Sequence, residues 1–137
     1  MDGKTLFCTA GLLSILFWIF LSVRRNWRRP RVLAGEKFYE FFREEIQDLS
    51  QGKGDAYEIL GNAFFKQEKA YLQFRAYLKG KTRQQFDEAW KEYFYDGGEN
   101  GQPCPQQYHA AGNDALAAEK RHLALKRIGK LLSLAKK

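Results

Sequence analysis

Residues 55–79 read DAYEILGNAFFKQEKAYLQFRAYLK, and this stretch decides the fold. Asp55 and Glu58 stand at the spacing of a capping box, in which two side chains satisfy the first free amides of a helix. At about 100° per residue, Ala56, Ile59, Leu60, Ala63, Phe64, Ala70, Tyr71, Phe74, Tyr77 and Leu78 share one face. Phe65, Leu72 and Ala76 form a narrower stripe roughly opposite. Two apolar stripes on one helix predict contact from both sides, so this helix is expected at the centre of a bundle. It would be about 24 residues and ~36 Å long, stopping at Gly80.

The neighbouring segments have the same period. Upstream, Phe38, Phe42, Ile46 and Leu49 step by four, four and three, and Tyr39 and Phe41 widen the stripe. Gly52 and Gly54 end that helix, because glycine takes a left-handed C-terminal cap without steric cost. Gly52-Lys53-Gly54-Asp55 has no phosphate-binding fingerprint and reads as one helix end meeting the next helix start. Downstream, Thr82-x-x-Gln85 is a second capping-box spacing, followed by Phe86, Ala89, Trp90, Tyr93 and Phe94 on one face. A loop near 96–113 contains Gly101, Pro103, Pro105 and Gly112. The last helix is expected from Asn113 or Asp114. Ala117, Ala124, Leu125, Ile128, Leu131, Leu132 and Ala135 lie on one side of it, and Arg121 falls within that face by angle. No segment alternates apolar and polar residues over a strand length. The fold class is therefore all-α, with about four helices in residues 36–137.

At the N-terminus, residues 5–23 read TLFCTAGLLSILFWIFLSV without a charge. About 20 apolar residues cross a bilayer core, so this run is expected to be a transmembrane helix behind a short external N-terminus, residues 1–4. It stops at Arg24, Arg25, Arg28, Arg29 and Arg31, with Trp27 among them. These six residues suit a membrane interface: arginine is costly inside the bilayer, and tryptophan favours the headgroup layer. A cleaved signal peptide would need a positive start and a small-residue site directly after the apolar run. Here Asp2 cancels Lys4, and arginines follow. The arginines place the C-terminal side in the cytoplasm by the positive-inside rule. Residues 24–35, bracketed by Pro30 and Gly35, read as a basic juxtamembrane linker.

The 137 residues allow one ordinary domain, and the net charge is +7. That charge is uneven: +5 over residues 24–35, −3 over 36–100 and +6 over 119–137. A uniformly basic protein would suggest nucleic acid, which this pattern makes an unfavoured partner. Lys120, Lys126, Arg127 and Lys130, on the polar side of the last helix, are candidates for an anionic lipid surface. The apolar side of that helix lacks Trp and Phe, which favours closing the bundle instead.

Catalytic and metal motifs are weak. Cys104, His109 and His122 match no zinc spacing, and Cys104 and His109 share a loop without a third group to orient them. No catalytic residue, metal or cofactor is expected. Residues 38–95 are rich in aromatics, which sit mainly on the helical stripes and read as core. Gln67 falls at the centre of the second helix's apolar face and must find partners. Arg75 and Asp87 are the candidates for a polar network with it.

The run Ala63 to Tyr71, then Phe74-Arg75, Phe86-Asp87-x-Ala89-Trp90 and Arg127-Ile128-x-Lys130-Leu131-Leu132, resembles a family of uncharacterised bacterial single-pass membrane proteins. The resemblance covers the chain from about Phe38 onward. It implies a helical cytoplasmic domain at the bacterial inner membrane and carries no activity. Together these readings lead to the expectation of a membrane-anchored protein-interaction module, an adaptor or accessory subunit with a protein partner. The alternatives are a tethered binder of nucleic acid or anionic lipid, and an enzyme whose site the sequence does not display.

Overall fold

The computed structural model describes residues 3–95 and 105–136, with side chains at 19, 21, 22, 30–95 and 106–136. The helices are α1 (Gly3–Gln51), α2 (Ala56–Arg75), α3 (Gly80–Phe94) and α4 (Asp114–Ala135), with a 3-10 turn at Pro105–Tyr108. No strand occurs among the described residues, in keeping with the all-α class. The chain divides into two units, Met1–Leu33 and Ala34–Lys137.

In the first unit the backbone is helical. Ile19 and Leu21 are exposed. Most side chains of the uncharged run, and those of Arg24, Arg25, Trp27, Arg28 and Arg29, lie outside the described residues. Among the described residues no helix is long and apolar enough to cross a membrane. The backbone over residues 24–35, read as the juxtamembrane linker, is helical, and α1 continues through Pro30. Proline removes one backbone donor from the helical ladder, which weakens a helix without always ending it.

In the second unit Gly35 has a role in packing. A Cβ built there would lie 2.8 Å from the Ala135 carbonyl oxygen. The glycine therefore lets the backbone of α1 approach the C-terminal end of α4. Gly35→Ala should destabilise this unit by about 1–3 kcal/mol, the usual cost of overpacking. Gly129 has open space around its Cβ position, so Gly129→Ala in α4 should stabilise by about 0.5–1 kcal/mol. Denaturant melts of the full chain in neutral detergent check both signs.

The glycine stop after α1 is as the sequence predicts. Gly52 has φ +67°. Its amide donates to the Leu49 carbonyl and the Lys53 amide donates to the Asp48 carbonyl, which is the Schellman pattern. Asp55 then caps α2, accepting from the Tyr57 amide at 3.1 Å. Asn113 caps α4, accepting from the Leu116 amide at 3.1 Å.

The second boundary differs from the prediction. α2 ends at Arg75, four residues early, and the chain turns back through Tyr77-to-Phe74 and Leu78-to-Arg75 backbone bonds. Leu78 is tucked into the core by this turn. α3 opens at Gly80, before the Thr82 box, behind an extended Lys79. Gly80 has φ +54°, a conformation that glycine adopts without strain.

The core is aromatic. Phe38 stacks on Phe74 at 5.3 Å and meets Phe86 edge-on at 5.4 Å, so α1, α2 and α3 converge there. Phe64 meets Tyr93 and Phe94 at 5.7 and 4.8 Å. α4 closes the bundle with Ala124, Ile128, Leu131, Leu132, Leu134 and Ala135. The 3-10 turn sets Tyr108 fully inside the core, where the sequence predicts plain loop.

Candidate interaction surface

The second apolar stripe of α2 is not covered. Phe65 is 80% exposed and Leu72 59% exposed, and Ala76 is exposed as well. Contact from both sides, predicted from the two stripes, is therefore corrected. The buried residues of α2 (Ala56, Leu60, Ala63, Phe64, Gln67, Ala70 and Phe74) supply its packing on the rest of the unit. The opposite side faces outward.

Beside this stripe, α1 and α2 border an open cleft of about 380 Å³. Glu44, Glu45 and Asp48 line it from α1, and Glu58, Ile59, Asn62, Ala63 and Lys66 from α2. Four carboxylates thus face one lysine. Lys66 Nζ lies 2.7 Å from Glu45 Oε1 and 3.8 Å from Glu44 Oε2. Glu45 is 5% exposed, and its Oε2 has no hydrogen-bond partner. The cleft leaves no mark in the sequence: Glu44 and Glu45 are adjacent carboxylates on one helix, and nothing local tells which of them turns inward.

The predicted polar network divides in two. Arg75 and Asp87 do meet, through Nε to Oδ1 at 2.7 Å and Nη2 to Oδ2 at 2.8 Å. The Tyr71 hydroxyl donates to the same carboxylate at 2.7 Å. Gln67 does not join them. Its Oε1 accepts from the Tyr93 hydroxyl, and its Nε2 has no partner. The separation is angular: Gln67 sits at the middle of the buried face, whereas Tyr71 and Arg75 lie at the edge nearest α3. Tyr93 was the missed partner, and its signal was a phenol placed on a core face, where the hydroxyl needs an acceptor.

These contacts fix protonation states. The hydrogen bond from Arg75 holds the Asp87 carboxyl below its ordinary value, and the Tyr71 hydroxyl lowers it further, against the opposing effect of burial. A depressed carboxyl contributes stability above its unfolded pKa of about 4 and loses it as pH falls. Asp87→Asn should therefore destabilise the full chain at pH 7, and the gap to the parent should shrink by pH 3. Denaturation midpoints at the two pH values check this.

Of the four α4 cations that are candidates for an anionic surface, two are engaged internally. Lys130 Nζ contacts both Glu92 oxygens at 2.8 Å. Arg127 Nη1 donates to Gln107 Oε1 at 2.5 Å and lies 3.5 Å from the Tyr108 hydroxyl. Lys126 is exposed and Lys120 half-buried. Arg121 extends its stem to the α1–α2 connection, 3.4 Å from the Gly54 carbonyl. His109 Nδ1 lies 3.6 Å from Asp55, His122 is exposed, and Cys104 lies outside the described residues.

The second unit is thus a helical bundle with one uncovered apolar stripe flanked by an acidic cleft. In comparisons with known proteins, the chain matches no family model, no curated protein and no solved structure.

Proposed function

We propose that the chain is a single-pass protein of the bacterial inner membrane whose helical domain binds another protein, as an adaptor or accessory subunit. The observation that carries the interaction reading is the outward stripe of α2. Phe65 is a large aromatic left 80% exposed beside Leu72, on a helix whose other face is already buried in the bundle. Clustered apolar side chains at the surface mark interaction sites more often than singly scattered ones do. The anchoring half rests on the uncharged run 5–23 and the five arginines behind it. The exposed Ile19 and Leu21 agree with a lipid-facing helix.

Two measurements test the two halves. The full chain should resist carbonate extraction, and a C-terminal alkaline phosphatase fusion should be inactive in the periplasm. An active fusion overturns the orientation. A photoreactive residue placed at 65 or 72 in cells should crosslink to protein well above one placed at 88, an exposed position on α3. Equal yields at all three positions overturn the interaction reading. The rival reading, nucleic acid or anionic lipid bound through Lys120, Lys126, Arg127 and Lys130, is weakened because Arg127 and Lys130 already hold internal partners.

A further inference from the structure

The helices of the second unit alternate in direction, so their ends gather at two opposite poles. At one pole α1 enters, α2 ends, α3 begins and α4 ends. Phe38, Phe74 and Phe86 pack there with ring centroids 5.3–5.4 Å apart, and Gly35 lies against Ala135 and Phe74. At the other pole Arg121 reaches Gly54 and His109 reaches Asp55.

The poles differ in charge. The entry pole, residues 34–39, 76–83 and 133–136, carries Lys37, Lys79, Lys81, Arg83 and Lys136, all exposed. Against them stands one carboxylate, Glu36, which leaves a net of +4. The opposite pole, residues 48–58 and 106–121, has five carboxylates against Lys53, Lys120 and Arg121, a net of −2 with histidine counted neutral. An anionic surface therefore attracts one pole and repels the other, which orients the bundle as well as holding it.

Tyrosine placement is the second, independent observation. Of the seven tyrosines, only Tyr39 and Tyr77 are exposed, at 38% and 49%, and both lie at the entry pole. The other five are buried or half-buried. Tyrosine has an apolar ring and a hydrogen-bonding tip, the combination that suits a headgroup layer. Lys136 Nζ stands 5.7 Å from the centroid of the Tyr39 ring, so ring and cation are presented together. Ala34, three residues after Arg31 in the sequence, begins the unit at this pole.

We infer that the entry pole lies on the anionic lipid surface of the membrane, with its five cations against lipid phosphates and Tyr39 and Tyr77 at headgroup level. The inference takes the anchored reading as its starting point. It uses neither the α2 stripe nor Lys120, Lys126, Arg127 and Lys130, so Phe65 and Leu72 stay open to a protein partner. The contact depends on charge and loosens as salt rises.

The test uses the full chain in nanodiscs of phosphatidylcholine, alone or mixed with phosphatidylglycerol. Lysines are labelled briefly with a neutral acetylating reagent and read by mass spectrometry. Lys79, Lys81 and Lys136, all far in sequence from the span, should label about three- to tenfold more slowly in the anionic discs. Lys53 and Lys120, at the opposite pole, should label equally in both. Lys37→Gln/Lys81→Gln/Arg83→Gln should return Lys79 and Lys136 to their rates in phosphatidylcholine. Lys53→Gln/Lys120→Gln/Lys126→Gln removes as much charge away from the pole and should keep the slowing. Equal labelling of the pole in the two discs overturns the inference, and so does equal slowing at Lys53 and Lys120. Duplex DNA that slows the same lysines in phosphatidylcholine discs more than anionic lipid does would reassign the pole to nucleic acid. A chain that leaves phosphatidylcholine discs fails the anchored reading. If it still stays on anionic discs with the pole protected, this contact stands without the anchor, and if it leaves both, the two fall together.

Discussion

Trp90→Ala should destabilise the helical unit by about 3–5 kcal/mol, the range for emptying a buried aromatic site. Trp90 is 2% exposed. Its ring is sandwiched, stacked on Tyr71 at 4.4 Å and 7° and on Phe94 at 4.7 Å and 21°. Tyr93 packs against it at 5.7 Å. Removing the indole therefore costs contacts on both faces and leaves a cavity between α2 and α3 that neither helix can close without shifting its other rings. It also frees Tyr71, whose hydroxyl is bound to Asp87, so the loss reaches the ion pair with Arg75. Trp90→Phe keeps one ring in the sandwich and should lose much less. Denaturant midpoints of the full chain in neutral detergent, followed by circular dichroism, give both values. A Trp90→Ala loss under about 1 kcal/mol would show that the sandwich contributes little.

That sandwich was partly legible in the sequence. The spacing of Phe86, Ala89, Trp90, Tyr93 and Phe94 placed all five on one face of α3, and all five are buried. Periodicity reports which residues share a face, so it identified most of the core, but Tyr39 and Phe41, which it added to the α1 stripe, and Tyr77, which it placed on the inner face of α2, are exposed. It does not report which helix face lies next to which. For that reason Gln67 was paired with the wrong partners, and the acidic cleft, formed by two helices meeting edge to edge, left no mark at all. Boundary signals succeeded where a backbone amide had a local solution. Gly52, Asp55 and Asn113 act within four residues of the group they satisfy. They failed where tertiary contact decided. Leu78 is pulled into the core and ends α2 early, and Gly35 serves the approach to Ala135 rather than breaking α1. The second stripe of α2 was seen correctly as apolar, and the inference that something in the same chain covers it was the error. Periodicity alone cannot distinguish a stripe buried at home from one left open.

Alkaline pH should unfold the helical unit, with loss beginning near pH 10. Tyr93 is fully buried, and burial pushes its hydroxyl well above the ordinary tyrosine value, with the nearby Tyr108 and Glu45 acting in the same direction. Burial likewise raises Tyr108 to about 12, although the hydrogen bond and charge of Arg127 partly oppose it. Tyr71 is raised by burial and then by its hydrogen bond to Asp87. In each case the folded state holds the proton more tightly than the unfolded chain does. The stability so gained is present in full below the unfolded value of about 10 and is lost as pH rises toward the folded value. For Tyr108 the window runs from about 10 to about 12, and at 1.36 kcal/mol per unit the loss is roughly 2–3 kcal/mol. Tyr71 and Tyr93 continue the loss in the same direction. Three such groups in one core weigh heavily against a stability of roughly 5–15 kcal/mol for a typical domain. The Tyr108 hydroxyl donates to the Tyr93 carbonyl at 2.7 Å, so its ionisation also breaks one of the two bonds that tie the 3-10 turn to α3, leaving the one from Gln107 Nε2 to the same carbonyl at 2.9 Å. Followed together from pH 8 to 13, helical circular dichroism should be lost with the last part of the phenolate absorbance to develop. Tyr108→Phe should be less stable than the parent at pH 8, and the gap should narrow by pH 12, because the variant has no proton to lose there. Phenolate formation that runs to completion while the helical signal stays intact would mean that these hydroxyls ionise without opening the core.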